Sequence, residues 1–379
     1  MKVLKSLRIF FILGNIILLF PNLFTLNKAR RLLIILVIIT EILLSVTNGI
    51  ICAYHKLYFH FPDFIHFNLS LFNSILLILL TCYHSEHYKI MFTFLDSNSS
   101  FVSKDDKYLK NYEKKRIVLL VILIPYLVLK TALPLASSRY FGIPGHELPI
   151  FVITILKINS SLYELRFFYI YYILYVILYL ISEQLECMIR SIVKEKCFVA
   201  TVFEQTETVV SDMVTIRYKN ITSEWSDVFT FITDAIILFN KIFSLQMTLM
   251  FSSAIIYITL FLYDIAVLST RSFYNNVMLS KYLVKIVILH VQIFVLSKAG
   301  QRINNNIENL KRRVGKLLIG SLTNVQSYEV TKDLLQHISN GRTQIQAFGS
   351  INVDMSLPPT FIMLFTSYTV IALQFNNVL

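Results

Sequence analysis

The stretch from Met355 to Phe375, MSLPPTFIMLFTSYTVIALQF, contains no charged residue and is long enough to cross a lipid bilayer as a helix. Pro358 and Pro359 fit the first turn of that helix, where a missing backbone N–H costs no intrahelical hydrogen bond. Six further apolar runs precede it in the chain. They lie near Leu32–Tyr54, Phe64–Tyr83, Ile117–Leu135, Tyr163–Ile181, Leu245–Leu268 and Tyr282–Leu296. The pattern predicts an all-α membrane protein with seven transmembrane helices.

The composition supports the same class of protein. Hydrophobic residues make up 55% of the 379 residues and charged residues only 15%, whereas soluble domains carry about 25% charged residues. The net charge of +12 could indicate nucleic acid as a partner, but in a membrane protein it reflects basic residues held on the cytoplasmic side. Four scattered cysteines predict neither a disulfide framework nor a zinc site. The predicted partner is therefore the lipid bilayer and not nucleic acid.

The distribution of lysine and arginine indicates the orientation. With seven spans and the N-terminus inside, most of the 35 basic residues fall in the cytoplasmic segments. This asymmetry predicts a cytoplasmic N-terminus and an outer C-terminus, and it argues against a rhodopsin-like receptor, which has the opposite orientation. The apolar run from Ile9 to Leu26 is interpreted as an interfacial or re-entrant segment, with a cleaved signal peptide as the alternative.

Two cytoplasmic connections are longer than a link between helices requires. Between Ser182 and Ser244, apolar residues at helical spacing predict that spans four and five continue into the cytosol as helices. From Gln301 to Gly341 we predict two further helices, the second ending at Asn340 with Gly341 as its C-cap. These helices would form a cytoplasmic anchor sub-bundle. The predicted organisation is residues 1–31 as a cytoplasmic or interfacial segment, 32–181 as spans one to four, 182–244 as the helical extension, 245–298 as spans five and six, 299–354 as anchor helices and 355–379 as span seven.

Signatures of catalysis are missing from the sequence. It has no serine nucleophile elbow, no two-histidine zinc helix and no glycine-rich phosphate loop. We therefore expect no enzyme activity and no cofactor. His84 and His87 lie together at the cytoplasmic end of span two, but a metal site needs three or four ligands. The two histidines are interpreted as a solvated edge, and no metal site is predicted.

Polar side chains inside the spans are the informative residues, because burying them in hydrocarbon is expensive. The set comprises Glu41, Lys130, Glu164, Arg166, Asp264, Lys285, His290 and Gln292. Two interpretations stay open. These side chains line a binding site, or they hold the bundle together through pairs such as Asp264 with Lys130 or Lys285.

Span four adds an aromatic stripe. Glu164, Phe168, Tyr171, Tyr175 and Tyr179 fall on one side of its helix at about 100° per residue. Such a stripe is either core packing or one wall of a pocket, in which tyrosine offers a small ligand an apolar face and a hydroxyl. The candidate ligand-binding residues are Tyr126, Lys130, Glu164, Phe168, Tyr171, Tyr175, His290 and Gln292.

The last span carries polar residues at heptad spacing. Thr360, Ser367 and Gln374 share a stripe with Leu364 and Ile371, because two helical turns nearly match seven residues. The stripe predicts contact with another membrane helix or, if several copies of the helix face one another, a pore lining. As a pore it would alternate weakly polar and apolar rings without a charged ring, which suits weak ion selectivity.

The stretch Ser367–Phe375, SYTVIALQF, resembles the C-terminal signature of insect gustatory receptors, which is Thr-Tyr, five hydrophobic residues and Gln-Phe just before the C-terminus. The preceding stretch Ala347–Pro359, AFGSINVDMSLPP, is similar to that family's approach to its last helix. The long extensions of spans four and five and the inverted topology add to the likeness. Ser367 stands where the family has Thr, and Thr369 occupies the first of the five apolar places.

The resemblance implies a homotetrameric, ligand-gated, non-selective cation channel in the plasma membrane of a sensory neuron dendrite, which could also assemble with other gustatory receptors. In that family the last helix lines the pore, and the Gln and Phe of the signature form the gate near the outer face. Carried over by motif, the gate and pore residues would be Gln374, Phe375, Ile371, Ser367 and Thr360. Tyr368 lies about 100° from that stripe and is expected to pack against its own bundle.

The ligand that the resemblance implies is a small-molecule tastant, bound in the outer half of spans two to four and six. A bitter or plant compound is favoured. The alternatives are a sugar-type gustatory receptor, a non-channel seven-span chemoreceptor or a transporter. A transporter would show paired interrupted spans in two halves of the chain, whereas only the seventh span looks interrupted.

Overall fold

The computed structural model describes residues 32, 35–43, 46–47, 61–84, 86–88, 90–91, 93, 150–203, 211–270, 276–320 and 325–375. Predicted span three and residues 9–26 lie outside this set. Residues 35–43 are helical. The longer elements are α1 (Phe61–Tyr83), α2 (Ile150–Phe203), α3 (Ser211–Thr270), α4 (Asn276–Gly320), α5 (Val325–Asn340), β1 (Gln346–Ala347), β2 (Ile351–Asn352) and α6 (Leu357–Phe375).

Three helices are much longer than a bilayer is thick. α2 has 54 residues, α3 has 60 and α4 has 45. At about 1.5 Å per residue, each is more than twice as long as the roughly 30 Å of hydrocarbon. The prediction that spans four and five continue as helices is confirmed. The first helix predicted after Gln301 is not a separate element but the lower part of α4, because the join contains no proline and a helix interior tolerates Gly300.

Four of the described helices, α2, α3, α4 and α6, contain a stretch that is long and apolar enough to cross a membrane. Polar bonds join α1 to α3 within this apolar region. The hydroxyl oxygens of Ser70 and Tyr257 lie 3.0 Å apart, and Asn73 Nδ2 donates to Ser253 Oγ at 2.7 Å. These bonds satisfy groups that are costly to bury alone, and they fix α1 against α3.

A lower part of the same hydrophobic core lies where α2, α3 and α4 extend beyond the predicted spans and α5 packs against α3 and α4. Trp225, Phe229 and Phe239 of α3 are fully buried there. Trp225 Nε1 donates to Ser191 Oγ of α2 at 3.4 Å. This part of the core corresponds to the predicted anchor sub-bundle, whose cytoplasmic location stays a prediction.

The end of α5 lies at Asn340, as the sequence predicts. Gly341, however, does not adopt the left-handed φ expected of a C-cap glycine. A Cβ at Gly341 would lie 2.8 Å from Cε1 of the buried Phe229 ring. The glycine is therefore explained by the close approach of α3, and not by backbone conformation.

A short hairpin joins α5 to α6. Strands β1 and β2 pair antiparallel, and their turn places Phe348 and Gly349 at φ values of 53° and 71°. The hairpin is bound to α3, because the N–H of Gly349 donates to Ser244 Oγ at 3.1 Å and the N–H of Gln346 donates to Asn240 Oδ1 at 3.0 Å. The root of α6 is therefore held against α3.

Candidate functional site

α6 attaches to the rest of the chain along one narrow stripe. Leu357, Phe361, Phe365 and Thr369 are buried and recur every four residues. The Phe361 ring lies 5.4 Å from the Phe251 ring of α3, and the Phe365 ring lies 5.1 Å from the His290 ring of α4. Because the stripe is narrow, the described parts of the chain leave most of the α6 surface uncovered.

The predicted pore stripe lies on this uncovered surface. Thr360, Leu364, Ser367, Ile371 and Gln374 are all exposed, whereas the side chain of Phe375 lies outside the described set. The hydroxyl of Thr360 donates to the Ser356 carbonyl and that of Ser367 to the Met363 carbonyl, both at 2.9 Å. Since each hydroxyl proton is engaged in the helix, the oxygen lone pairs are left to accept from whatever faces the stripe.

The expectation that Tyr368 packs against its own bundle is wrong. Tyr368 is 54% exposed, and its neighbour Thr369 takes the buried position. The contact stripe advances in steps of four residues from Leu357, so its centre reaches Thr369 and misses Tyr368 by about 100°. The Thr369 hydroxyl is satisfied by the Phe365 carbonyl at 2.7 Å. A small hydroxyl at the first apolar place of the signature is thereby accommodated.

Two of the polar residues found in the spans form a buried ion pair. Arg166 of α2 bonds the carboxylate of Glu41, which lies in helical segment 35–43, and each side chain is 4% exposed. Ser74 of α1 bonds both partners: its hydroxyl lies 3.3 Å from Glu41 Oε1 and next to the guanidinium of Arg166. The triad joins three separate parts of the chain, so for these residues the interpretation as pairs that hold the bundle together is confirmed. Ser74 is a member that the sequence did not single out.

The candidate ligand-binding residues divide between two surfaces. His290 Nδ1 bonds its own helix at the Ile286 carbonyl, 2.8 Å away, and its ring packs on Phe365 of α6. Gln292 lies about 200° further around α4 and therefore points to a different neighbour. Tyr171 of α2 is buried, and Phe168 and Tyr175 are partly buried. Tyr126, Lys130 and the side chain of Glu164 lie outside the described set.

For Asp264, one of the two open interpretations was a pair with Lys130 or Lys285. Lys285 Nζ lies 5.1 Å from the centre of the Phe261 ring, a cation–π arrangement. Asp264 is buried on α3. The lysine is therefore accommodated at least in part by an aromatic face.

A charge cluster that sequence reasoning missed lies below the apolar region. Arg302 of α4 reaches two carboxylates of α2: its Nη2 bonds Glu183 Oε1 at 3.0 Å and its Nε bonds Glu186 Oε1 at 3.0 Å. The Arg302 guanidinium also lies over the Tyr179 ring, 5.3 Å from its centre. Burial, reinforced by Glu186, raises the pKa of Glu183 to about 7, although Arg302 opposes this shift. No local pattern could reveal these partners, because they lie on a different helix.

Arg302→Ala should lower the melting temperature of the purified protein more at pH 8 than at pH 6. The pKa of Glu183 is about 7, and Arg302 is among the groups that lower it. The carboxyl is therefore largely neutral at pH 6 with or without Arg302, whereas at pH 8 it is charged beside Arg302 and loses that partner in the variant. We expect a loss of about 1–3 kcal/mol at pH 8. Arg312→Ala is the matched control, because Arg312 is 70% exposed and pairs with Glu308 on the surface. Equal losses for both variants at both pH values would contradict the assigned role.

His84 is not part of a solvated edge, contrary to the prediction. It is buried, and its ring lies 5.7 Å from that of His87. Burial, helped by His87 and Lys241, lowers the pKa of His84. Within the described residues, no group of three His, Cys, Asp or Glu side chains could hold a metal ion.

The family of the protein follows from its similarity to known protein families and not from the geometry of the helices. A model described as 7tm chemosensory receptor matches residues 6–377, nearly the whole chain. The chain belongs to the seven-transmembrane chemosensory receptor family. Among curated proteins, no sequence matches this receptor at a significant level. The predicted family resemblance is confirmed at the level of chemosensory receptors, and the family consists of receptors and not enzymes.

Solved structures confirm the all-α seven-span fold of this receptor. The insect olfactory receptor OR5 from Machilis hrabei in complex with eugenol matches with a TM-score of 0.69 and 14% identity, over 97% of this chain and 98% of that chain. Another structure of OR5 matches with a TM-score of 0.68 and 15% identity, over 92% and 90% of the two chains. At this identity the match establishes the fold, and the orientation in the membrane stays a prediction.

Proposed function

We propose that this chemosensory receptor is the subunit of a ligand-gated, non-selective cation channel in which four copies surround a pore lined by α6. The observation that carries the proposal is the one-sided attachment of α6. Its free surface carries Ser367 and Gln374 among apolar residues, and polar groups are costly against lipid. Facing an axis shared with other copies would give these groups a wet environment.

The oxygen atoms along α6 support conduction of cations. Thr360 and Ser367 donate their hydroxyl protons to the helix and present acceptor lone pairs to the uncovered side. Rings of such oxygens would stabilise a partly hydrated cation without a fixed charge, whereas Leu364 and Ile371 would form dry rings between them. Gln374 and Phe375 would form the gate at the outer end.

Ligand binding would open this gate only if the open state binds the ligand more tightly. The contact between His290 and Phe365 is a direct mechanical link from α4 to the middle of α6. A ligand that shifts α4 would therefore shift the pore helix. Since OR5 was solved in complex with eugenol, a small molecule is the proposed class of ligand here as well.

We propose a role in taste, with a bitter or plant compound as the tastant. The signature at Ser367–Phe375 supports gustatory over olfactory receptors. The homotetramer would lie in the plasma membrane of a sensory dendrite, where it could also assemble with other gustatory receptors. A sugar-type receptor would respond to sugars in the tastant panel. A non-channel receptor or a transporter would give no ligand-gated current.

Gln374→Ala is expected to change current through the receptor without changing its delivery to the membrane. Removing the amide from the constriction should raise unliganded current or alter relative Na⁺ and Ca²⁺ permeability severalfold, because pore diameter and lining set permeation. The measurement is patch-clamp recording in cells under G-protein blockade with a tastant panel. Gln336→Ala, an exposed glutamine on α5, is the matched control. Loss of all ligand response under blockade would refute the channel, and unchanged permeation and gating in Gln374→Ala would refute the gate.

A further inference from the structure

Tyr171 of α2 and Gln292 of α4 each bury a polar atom that has no hydrogen-bond partner in the described part of the chain. Tyr171 is 6% exposed. Among the residues that the structure describes, neither its hydroxyl nor Oε1 of Gln292 finds a partner. Native proteins satisfy the great majority of buried polar atoms, so two such atoms in one region require an explanation.

The helical periodicity places both atoms where α2 and α4 meet. Asn306 of α4 donates to both oxygens of Ser182 of α2 at 3.1 Å, which identifies the facing sides. Tyr171 lies about 20° from Ser182 around α2, and Gln292 lies about 40° from Asn306 around α4. Both side chains therefore belong to the same interface.

The two side chains also lie at similar heights. Arg302 of α4 lies over Tyr179 of α2, and the next turn of each helix brings Asn306 to Ser182, so the two helices run in the same direction. Measured along the helix axes toward the N-terminal ends, Tyr171 lies about 16 Å from Ser182 and Gln292 about 21 Å from Asn306, at about 1.5 Å per residue. A phenol and an amide separated by this small offset can act on one ligand group.

We propose that Tyr171 and Gln292 recognise the hydroxyl group of a small uncharged alcohol or phenol. The phenol of Tyr171 is a donor and the amide oxygen of Gln292 is an acceptor, and a hydroxyl satisfies both at once because it accepts and donates. Neighbouring positions on the two helices are apolar and buried, among them Ile170, Leu174, Ile293 and Leu296. Such surroundings disfavour a charged ligand. This assignment rests on the proposed function and names its ligand class.

Matched sets of three compounds test the assignment. 2-Phenylethanol, its methyl ether and ethylbenzene share a carbon frame, as do 3-phenylpropanol, its methyl ether and propylbenzene. The ether keeps the acceptor and loses the donor, and the hydrocarbon lacks both. Binding is measured on the purified full-length receptor in lipid nanodiscs by ligand-induced shifts in melting temperature. We expect the alcohol to bind about tenfold more tightly than its ether, because the ether leaves Gln292 unpaired.

Variants locate the preference on these residues. Gln292→Leu should reduce the preference for the alcohol over its ether to less than about twofold, and Tyr171→Phe should weaken the alcohol and the ether together while the hydrocarbon binds as before. Ser297→Ala is the matched control, since it removes a buried hydroxyl without a described partner on the side of α4 about 180° from Asn306. That variant should keep the full preference.

Three results would overturn the assignment: equal binding of all compounds in a set, binding of none in either set, or an unchanged preference for the alcohol over its ether in Gln292→Leu. Failure of the channel proposal looks different. Selective binding of alcohols without ligand-gated current would refute the channel and support the assignment. Currents gated by compounds without any hydroxyl preference would support the channel and refute the assignment.

Discussion

Arg166→Ala should leave very little receptor at the cell surface. The variant removes the cation from a Glu41 carboxylate that is 4% exposed within the apolar part of the bundle. Breaking a buried ion pair by removing one partner costs about 3–5 kcal/mol, a large part of the roughly 5–15 kcal/mol that stabilises a domain. The loss would separate segment 35–43 from α1 and α2 at the same time, because Ser74 bonds both charges. Surface biotinylation and the melting temperature of the detergent extract measure the effect.

Two companion variants separate the ion pair from the general effect of losing an arginine. Arg190→Ala removes a half-exposed arginine from the same helix, where it lies 4.0 Å from Glu186, and should cost less than about 1 kcal/mol. The double variant Glu41→Gln with Arg166→Gln removes both charges and should be delivered better than Arg166→Ala, because no buried charge is left without a partner. If Arg166→Ala and Arg190→Ala reach the surface equally, the triad does not stabilise the bundle.

Gly300→Ala should distort the connection between α4 and the root of α6. A Cβ at Gly300 would lie 1.9 Å from the carbonyl oxygen of Val353, far inside van der Waals contact. The obstacle is backbone and therefore cannot rotate away like a side chain. The root is also tied to α4 by Gln301, whose Oε1 accepts from the N–H of Met355 at 3.4 Å. We expect a fall in melting temperature of several degrees, in line with overpacking costs of about 1–3 kcal/mol.

Gly315→Ala is the matched control, because it makes the same substitution in the same helix. No described atom lies within 4 Å of a Cβ at Gly315. Alanine favours a helix interior over glycine by up to about 1 kcal/mol, so this variant should be neutral or more stable. Ligand-gated current is measured as well, and of the two variants only Gly300→Ala should reduce it. Equal melting temperatures for the two variants would show that α4 and Val353 do not approach as closely as described.

The spans and helical extensions were predictable from the sequence because both depend on local signals. An apolar run of bilayer length and a 3.6-residue period are properties of neighbouring residues, and α2 and α3 follow them. The continuity of α4 was missed because the apolar run ends at Leu296 and the composition becomes polar from Gln301, although neither change breaks the hydrogen-bond ladder.

Partners distant in the chain were beyond the sequence. Glu41 and Arg166 could each be recognised as costly in hydrocarbon, but only the packed bundle brings them together across 125 residues. The same applies to Arg302 and its two carboxylates on α2. For Tyr368, the position of the contacting face could not be predicted, because that face depends on where Phe251 and His290 meet α6.

The hairpin between α5 and α6 has a consequence for how motion travels. Helices α2, α3 and α4 pass without a break from the apolar region to the lower part of the core, so each can carry displacement along its axis as a stiff rod. α6 has no such rod beneath it and stands on residues 341–356, which include a turn with two consecutive positive φ values. This segment is bonded to α3 through Ser244 and to α4 through Gln301. A displacement of either rod therefore reaches the base of α6 through these bonds and not through a continuous helix.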